Sequence, residues 1–209
     1  MHISAERGFV FVHIPKTGGT SMALALEERA AASDILIGDT PKAKRRRRRH
    51  AGVRAAGRLW KHSTLRDIPG LVTDAFVARA FVFTLVRDPW DRALSYHAWL
   101  REQAFDHPAV SEARLPFGEF LALPRTRAAL AVPYADHVTD RFGRERGTFV
   151  RLERLEEDMA PVTARLGFEP RLGRANPSFG RQAHTDATRD LIAEICAGDI
   201  ARFGYRFRG

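Results

Sequence analysis

The stretch Phe9-Val10-Phe11-Val12-His13-Ile14-Pro15-Lys16-Thr17-Gly18-Gly19-Thr20-Ser21-Met22 decides the fold. Its opening is a β-branched and aromatic run, which reads as a short buried strand. Pro15 and the pair Gly18-Gly19 then mark a tight turn. From Thr20 the apolar positions become Met22, Leu24 and Leu26, set among Ala and Glu, and this pattern predicts a helix starting at the glycines. Strand, glycine-bearing turn and helix in succession are the opening of an α/β domain.

Outside that stretch, Phe81-Val82-Phe83-Thr84-Leu85-Val86 is the clearest strand in the chain, and Thr148-Phe149-Val150-Arg151-Leu152 is a third. Asp34 to Gly38 is a weaker strand candidate. After Val86, Asp88-Pro89-Trp90-Asp91 puts a proline in a first helical turn, where its missing N–H costs nothing, and a helix is expected through Trp99-Leu100. Further helices are expected over 156–166, closed by Gly167, and over 185–200, where Asp186 suits the helix dipole. The alternation predicts one α/β domain over residues 1–209, with a central, mostly parallel sheet flanked by helices. In such a sheet, ligands bind beyond the carboxyl ends of the strands.

A chain of 209 residues has the size of one domain with a proper core. Its 44% hydrophobic and 28% charged residues exclude wholesale disorder. The single cysteine, Cys196, excludes an internal disulfide and a Cys-based metal cluster, and its apolar helical surroundings read as those of a buried structural thiol. No run approaches the roughly eighteen apolar residues of a membrane span, and the first residues carry no signal-peptide pattern, so a cytoplasmic location is expected.

The net charge of +9 resembles a nucleic-acid signature until it is localised. Lys42, Lys44 and Arg45 to Arg49 hold seven of those charges, which leaves +2 for the rest of the chain. From Pro41 to Gly52 no residue is acidic. The segment at about 40–58 is therefore expected to be a flexible, self-repelling basic loop, with polyanion contact as the minor reading.

Chemistry is expected in the two turns that follow the best strands. In the first, backbone N–H groups converge at a helix N-terminus whose dipole favours negative charge. Gly18 and Gly19 allow close approach of an oxyanion, Lys16 adds a point charge, and Thr17, Thr20 and Ser21 add hydroxyl donors. This is not a Walker A loop, because there the lysine follows the last glycine, and Lys16 precedes both. In the second turn, Arg87 can offer its planar fork to another phosphate, and Ser95 lies about two helical turns along. Two anion sites on neighbouring strands imply a ligand with two separated phosphates.

The pair His13-Ile14-Pro15-Lys16-Thr17-Gly18-Gly19-Thr20-Ser21 and Val86-Arg87-Asp88-Pro89-Trp90-Asp91-Arg92-Ala93-Leu94-Ser95-Tyr96 resembles the two nucleotide-binding motifs of the sulfotransferase superfamily. The branch is the one that includes Golgi carbohydrate sulfotransferases and their bacterial relatives, and the chain is more similar to the soluble bacterial members. Weaker similarity extends to Lys61-His62-Ser63-Thr64, to Phe149-Val150-Arg151-Leu152-Glu153 with Asp158, to Asn176-Pro177-Ser178 and to the tail from Asp199 to Tyr205. The Arg-rich segment matches nothing in the family.

The resemblance implies a P-loop-like domain that uses 3′-phosphoadenosine 5′-phosphosulfate (PAPS) as co-substrate, without a metal. It gives the 5′-phosphosulfate to Lys16, Thr17, Gly18, Gly19, Thr20 and Ser21, and the 3′-phosphate to Arg87 and Ser95. The acceptor it implies is a hydroxyl, that of a carbohydrate before others. An anionic acceptor could also meet the basic loop; neither nucleic acid nor a membrane is an expected partner. Lys16 is then a catalytic cation, and His62 is the candidate base because the family places a base there and histidine titrates near neutrality. His13 and Glu153 compete for that role. Trp90 and Trp99 either line an adenine or acceptor site or belong to the core. The rival classes are a nucleotide kinase, which would need magnesium and a Walker A order, and a non-catalytic polyanion binder resting on Lys42 to Arg49 alone.

Overall fold

A computed structural model describes residues 1–173 and 184–208; Asn176-Pro177-Ser178, singled out above, lies outside the described residues. Five strands, β1 (His2–Ser4), β2 (Phe9–Val12), β3 (Ile35–Leu36), β4 (Phe81–Val86) and β5 (Gly147–Arg151), form one sheet in the order β3-β1-β2-β4-β5. The expected α/β class is present, and β2, β4 and β5 are parallel, with Val12 beside Thr84 and Val86 beside Arg151. The sheet is nonetheless mixed: β1 pairs antiparallel with both β2 and β3. Three residues reading His-Ile-Ser carry no periodicity, so β1 is invisible as sequence. It is specified by the turn before β2, in which Gly8 takes φ 65°.

β2 and the last five residues of β4 are buried, which is why both read as continuous apolar runs and not as alternations. Successive side chains point to opposite faces. Phe9, Phe11, Phe83 and Leu85 meet Met22 and Leu26 of α1 (Gly19–Glu28) on one face. Val10, Val12 and Val82 meet Leu65, Ile68 and Val77 on the other. The Thr84 hydroxyl donates to the Val12 carbonyl at 2.8 Å and ties the two central strands together near their carboxyl ends.

Two compact units divide the chain. The first holds the sheet, α1, α2 (Pro41–Arg46), α3 (Asp74–Arg79) and, after a long excursion, β5 with its neighbouring helices. The second runs from Arg87 through α4 (Pro89–Arg101) to Pro133 and includes the two C-terminal helices. Its core is helical, built on Trp90, Leu100, Phe117, Phe120 and Ile192. Trp90 is buried there with its indole N–H donating to the Arg189 carbonyl at 2.9 Å, and Trp99 packs on the same cluster. Cys196 is buried in it too, and burial pushes its thiol pKa up to about 11, which makes it chemically quiet.

The expected helix over 156–166 is broken into Leu155–Asp158 and Ala160–Leu166, with Pro161 in the first turn of the second piece and Gly167 closing it at φ 73°. The final helix likewise divides at Cys196. Among the described residues no helix is long and apolar enough to cross a membrane.

The segment expected as a loop from about 40 begins as a helix. Thr40 accepts a hydrogen bond from the Ala43 N–H at 3.3 Å, Pro41 fills the first turn, and Arg47–His50 continue as a 3₁₀ turn. Between Pro41 and Gly52 the sequence holds no carboxylate to neutralise its cations, and backbone carbonyls do part of that work. The Lys42 ammonium donates to the Glu27 carbonyl, Arg46 Nη1 to the carbonyls of Ala31 at 2.7 Å and Asp34 at 3.2 Å, and Arg49 Nη1 to that of Ala32 at 2.5 Å. These oxygens lie at the C-terminal end of α1 and just beyond it, where the helix dipole is negative. Lys44, Arg45, Arg47 and Arg48 remain exposed.

Candidate active site

The loop after β2 is set by two left-handed residues. Gly18 takes φ 85° as the N-cap of α1, and Lys16 takes φ 67°, the one non-glycine residue with positive φ among the described residues. A lysine pays roughly 1–2 kcal/mol for that conformation, and its neighbours must hold it there. Thr17 does so from below: it is fully buried, and its hydroxyl donates to the Ile14 carbonyl at 3.0 Å. Thr17 therefore closes the loop and has no hydroxyl proton left for an anion. Thr20 is exposed and Ser21 half-buried at the first turn of α1.

No side chain caps α1, and no acidic residue stands in its first turn. Its N-terminal N–H groups thus meet no negative partner from their own helix. Packing leaves little room for a side chain at either glycine. A Cβ at Gly19 would stand 2.0 Å from His13 Cδ2, and one at Gly18 would stand 3.0 Å from the Leu152 side chain.

That close contact places His13 against the helix N-terminus, and His13 in turn positions His62. Their rings meet edge-on at 4.7 Å, and His62 Nδ1 lies 2.8 Å from the His13 carbonyl oxygen. A carbonyl can only accept, so Nδ1 carries the proton and the neutral ring keeps its lone pair on Nε2. Burial, with the Lys61 charge beside it, lowers the His62 pKa to about 4, against the pull of that carbonyl. His13 is buried, and burial together with His62 and the nearby Lys61 and Lys16 holds its pKa well below the ordinary histidine value. Both rings are neutral at pH 7.

The turn that carries His62 is pinned at several points. Ser63 is fully buried; its hydroxyl lies 2.9 Å from the Arg58 carbonyl and 2.8 Å from that of Trp60, and accepts from the Trp60 N–H at 2.9 Å. Asp67 accepts from the Thr64 N–H at 2.6 Å and from its hydroxyl at 3.0 Å. Lys61 pairs with Asp39 at 2.9 Å.

Arg87 and Ser95 belong to the helical unit. Asp88 caps α4 by accepting from the N–H groups of Trp90 at 2.9 Å and Asp91 at 3.3 Å. Arg87 precedes that cap with a side chain only 13% exposed and 4.0 Å from Asp91. Ser95 is half-buried within α4. Glu153 is exposed in a 3₁₀ turn after β5. Arg151 beside it is held by Asp158 through Nε and Nη2, both at 2.7 Å, so that pair acts as scaffold.

The first unit thus brings together Lys16, Gly18, Gly19, Thr20, Ser21, His13 and His62. The sequence marks Ser63 only as part of the Lys61–Thr64 resemblance and gives no role to it, to Asp67 or to Trp60, which shape the His62 turn. Trp60 had a usable signal: a large aromatic in a stretch with no helical or strand periodicity has no core face to join.

A crystal structure of mouse sulfotransferase SULT7A1 complexed with PAP is similar at 13% identity and a TM-score of 0.40, covering 95% of this chain and 67% of that one. No family model matches the chain, and no curated protein matches it in sequence.

Proposed function

We propose that the protein is a PAPS-dependent sulfotransferase that transfers a sulfuryl group to an acceptor hydroxyl, that of a carbohydrate before others. The observation that carries this reading is the pairing of an uncapped helix N-terminus, bearing Lys16, with a histidine whose Nε2 lone pair is fixed by the His13 carbonyl. One is a place for an oxyanion, the other a proton acceptor, and the His13 ring separates them by a single side chain.

In this mechanism the 5′-phosphosulfate lies against the N–H groups of α1 with Lys16, Thr20 and Ser21 around it. The acceptor oxygen attacks sulfur, the bond from sulfur to the 5′-phosphate oxygen breaks, and 3′,5′-adenosine bisphosphate leaves. The hydroxyl proton passes to His62 Nε2. Lys16 stabilises the charge that builds on the leaving phosphate oxygen. A histidine with a pKa of about 4 is a weak base; a dianionic donor beside it raises that value towards the working range. Arg87 and Ser95 keep the 3′-phosphate on the strength of the sequence pattern. The exposed cations Lys44, Arg45, Arg47 and Arg48 favour an anionic acceptor by raising its local concentration.

The test is calorimetric. The protein should bind 3′,5′-adenosine bisphosphate without magnesium and bind it more tightly than 5′-AMP, and labelled PAPS with a panel of glycans should give a sulfated product. Tight binding of ATP that requires magnesium, with indifference to the 3′-phosphate, overturns the proposal in favour of a kinase.

A further inference from the structure

The turn that presents His62 also presents the indole of Trp60. Its ring centroid lies 4.9 Å from that of His62 at 85°, and the Arg58 guanidinium sits 5.5 Å from its centre. Trp60 is 44% exposed. Trp90 is buried in the helical core and Trp99 packs on it, so Trp60 is the tryptophan that burial does not explain. An exposed tryptophan on a mobile loop would mean little. The backbone that carries this one is held: Ser63 bonds to its N–H and its carbonyl, and the next residue but one is anchored to His13.

We infer that Trp60 is the platform on which the acceptor ring lies, and that the ring is a pyranose. An indole offers a flat apolar surface of low conformational freedom, and a pyranose has complementary flat faces of axial C–H bonds with hydroxyls at the rim. A sugar lying on the exposed indole has its rim hydroxyls within reach of the adjacent imidazole, which selects the hydroxyl that loses its proton. Arg58, already above the same indole, gives the platform a positive charge, so a ring with a carboxylate is preferred over its neutral counterpart. Trp60 is a binding residue for the acceptor and plays no part in holding the donor.

The identity of the transferred group rests on the sulfuryl-transfer reading; the sugar contact does not. Saturation-transfer NMR with methyl β-glucopyranoside and methyl β-glucuronoside on the full chain tests the contact directly. Transfer to the axial hydrogens of one ring face is expected, stronger for the glucuronoside. Trp60→Ala should lose it and Trp60→Phe retain part, a change of about two- to tenfold in affinity. Arg58→Gln should remove the preference for the glucuronoside. Calorimetry with 3′,5′-adenosine bisphosphate, run on each variant, should show unchanged affinity, which also establishes that the variants are folded. Equal transfer in Trp60→Ala, or no transfer to either glycoside in the parent, overturns the inference. If the parent binds the glycosides through Trp60 but does not bind the bisphosphate, the platform stands and the sulfotransferase reading falls.

Discussion

The two ends of α1 pose the same problem and receive opposite treatment. Every helix leaves N–H groups unsatisfied at its start and carbonyls unsatisfied at its end. The sequence of α1 supplies neither an acidic residue in its first turn nor a basic one in its last. At the C-terminal end the chain brings the compensation from elsewhere: Lys42, Arg46 and Arg49 donate to carbonyls at and beyond Glu27. At the N-terminal end it brings Lys16, of the same sign as the dipole end it stands beside, and no side-chain cap. One end receives a donor from Lys42, with Arg46 and Arg49 bonding the chain just beyond it. The other is the end to which the proposed mechanism assigns an anionic ligand.

Removing the charge at the open end should give the largest effect. Lys16→Gly takes away the ammonium and also relieves the φ 67° backbone. Turnover should fall about 10²- to 10³-fold, as when one transition-state donor is removed. Stability should hold or rise by up to about 1 kcal/mol. Activity assays beside thermal melts check both, and a variant that melts earlier yet keeps its turnover would break the comparison.

Next comes Gly19→Ala. The new methyl group meets the His13 ring at a distance no structure tolerates, so either the ring or the start of α1 must shift. A loss of about 1–3 kcal/mol is expected from overpacking, with His62 displaced through its bond to the His13 carbonyl. Gly18→Ala should cost less, since its nearest obstacle is the flexible end of Leu152 and the penalty is that of its φ. Urea titrations that rank the two in the reverse order would show that His13 yields easily.

The pH dependence follows from the same pair. His13 and His62 both have folded-state pKa values below the ordinary one, so the unfolded chain binds more protons than the folded one as the pH falls below about 6.5. Their contribution is complete above that value and is lost on descending towards the folded values, by about 1.4 kcal/mol per pH unit for each group still neutral in the fold. Denaturation midpoints measured from pH 7.5 to 5 should fall, and His62→Gln should flatten the slope. The acid limb of kcat/KM assigned to His62 should lie near its folded pKa of about 4. A limb near 6.5 would move the base elsewhere.

The parallel centre of the sheet was legible because β2 and β4 are buried on both faces, which leaves an unbroken apolar run in the sequence. The strand-turn-helix around Lys16 and the glycine pair was legible because the apolar pattern changes period at the glycines. What was not legible depended on partners distant in sequence. β1 has three residues and no period of its own, and one of its two partners, β3, lies some thirty residues on. Thr17 looks like a ligand donor until Ile14 takes its proton. Gly19 looks like an opening for an oxyanion until His13 is seen against it. The basic segment reads as unpaired because several of its partners are backbone carbonyls, which have no signature in a sequence.

The closed end of α1 gives the smallest effects and the finest separation. The seven cations of 42–49 fall into two sets, those that bond to carbonyls and those that face water. Arg46→Ala removes two charge-assisted bonds, to Ala31 and Asp34. It should cost about 1.5–3 kcal/mol, the worth of hydrogen bonds to a charged group, with no change in acceptor preference. Arg45, Arg47 and Arg48 are exposed, and Arg47 lies near enough to the Asp39 carboxylate to help lower its pKa. Replacing these three with serine should leave stability within about 0.5 kcal/mol of the parent, as surface substitutions do. What should change is the KM for an anionic acceptor: raised a few-fold at low ionic strength, unchanged for a neutral one, and converging with the parent as salt shortens the Debye length to about 3 Å at 1 M. Melting curves and salt-dependent kinetics on the two variants decide the matter. If the triple serine variant loses stability like Arg46→Ala, then all the cations serve the helix end and none serves the acceptor.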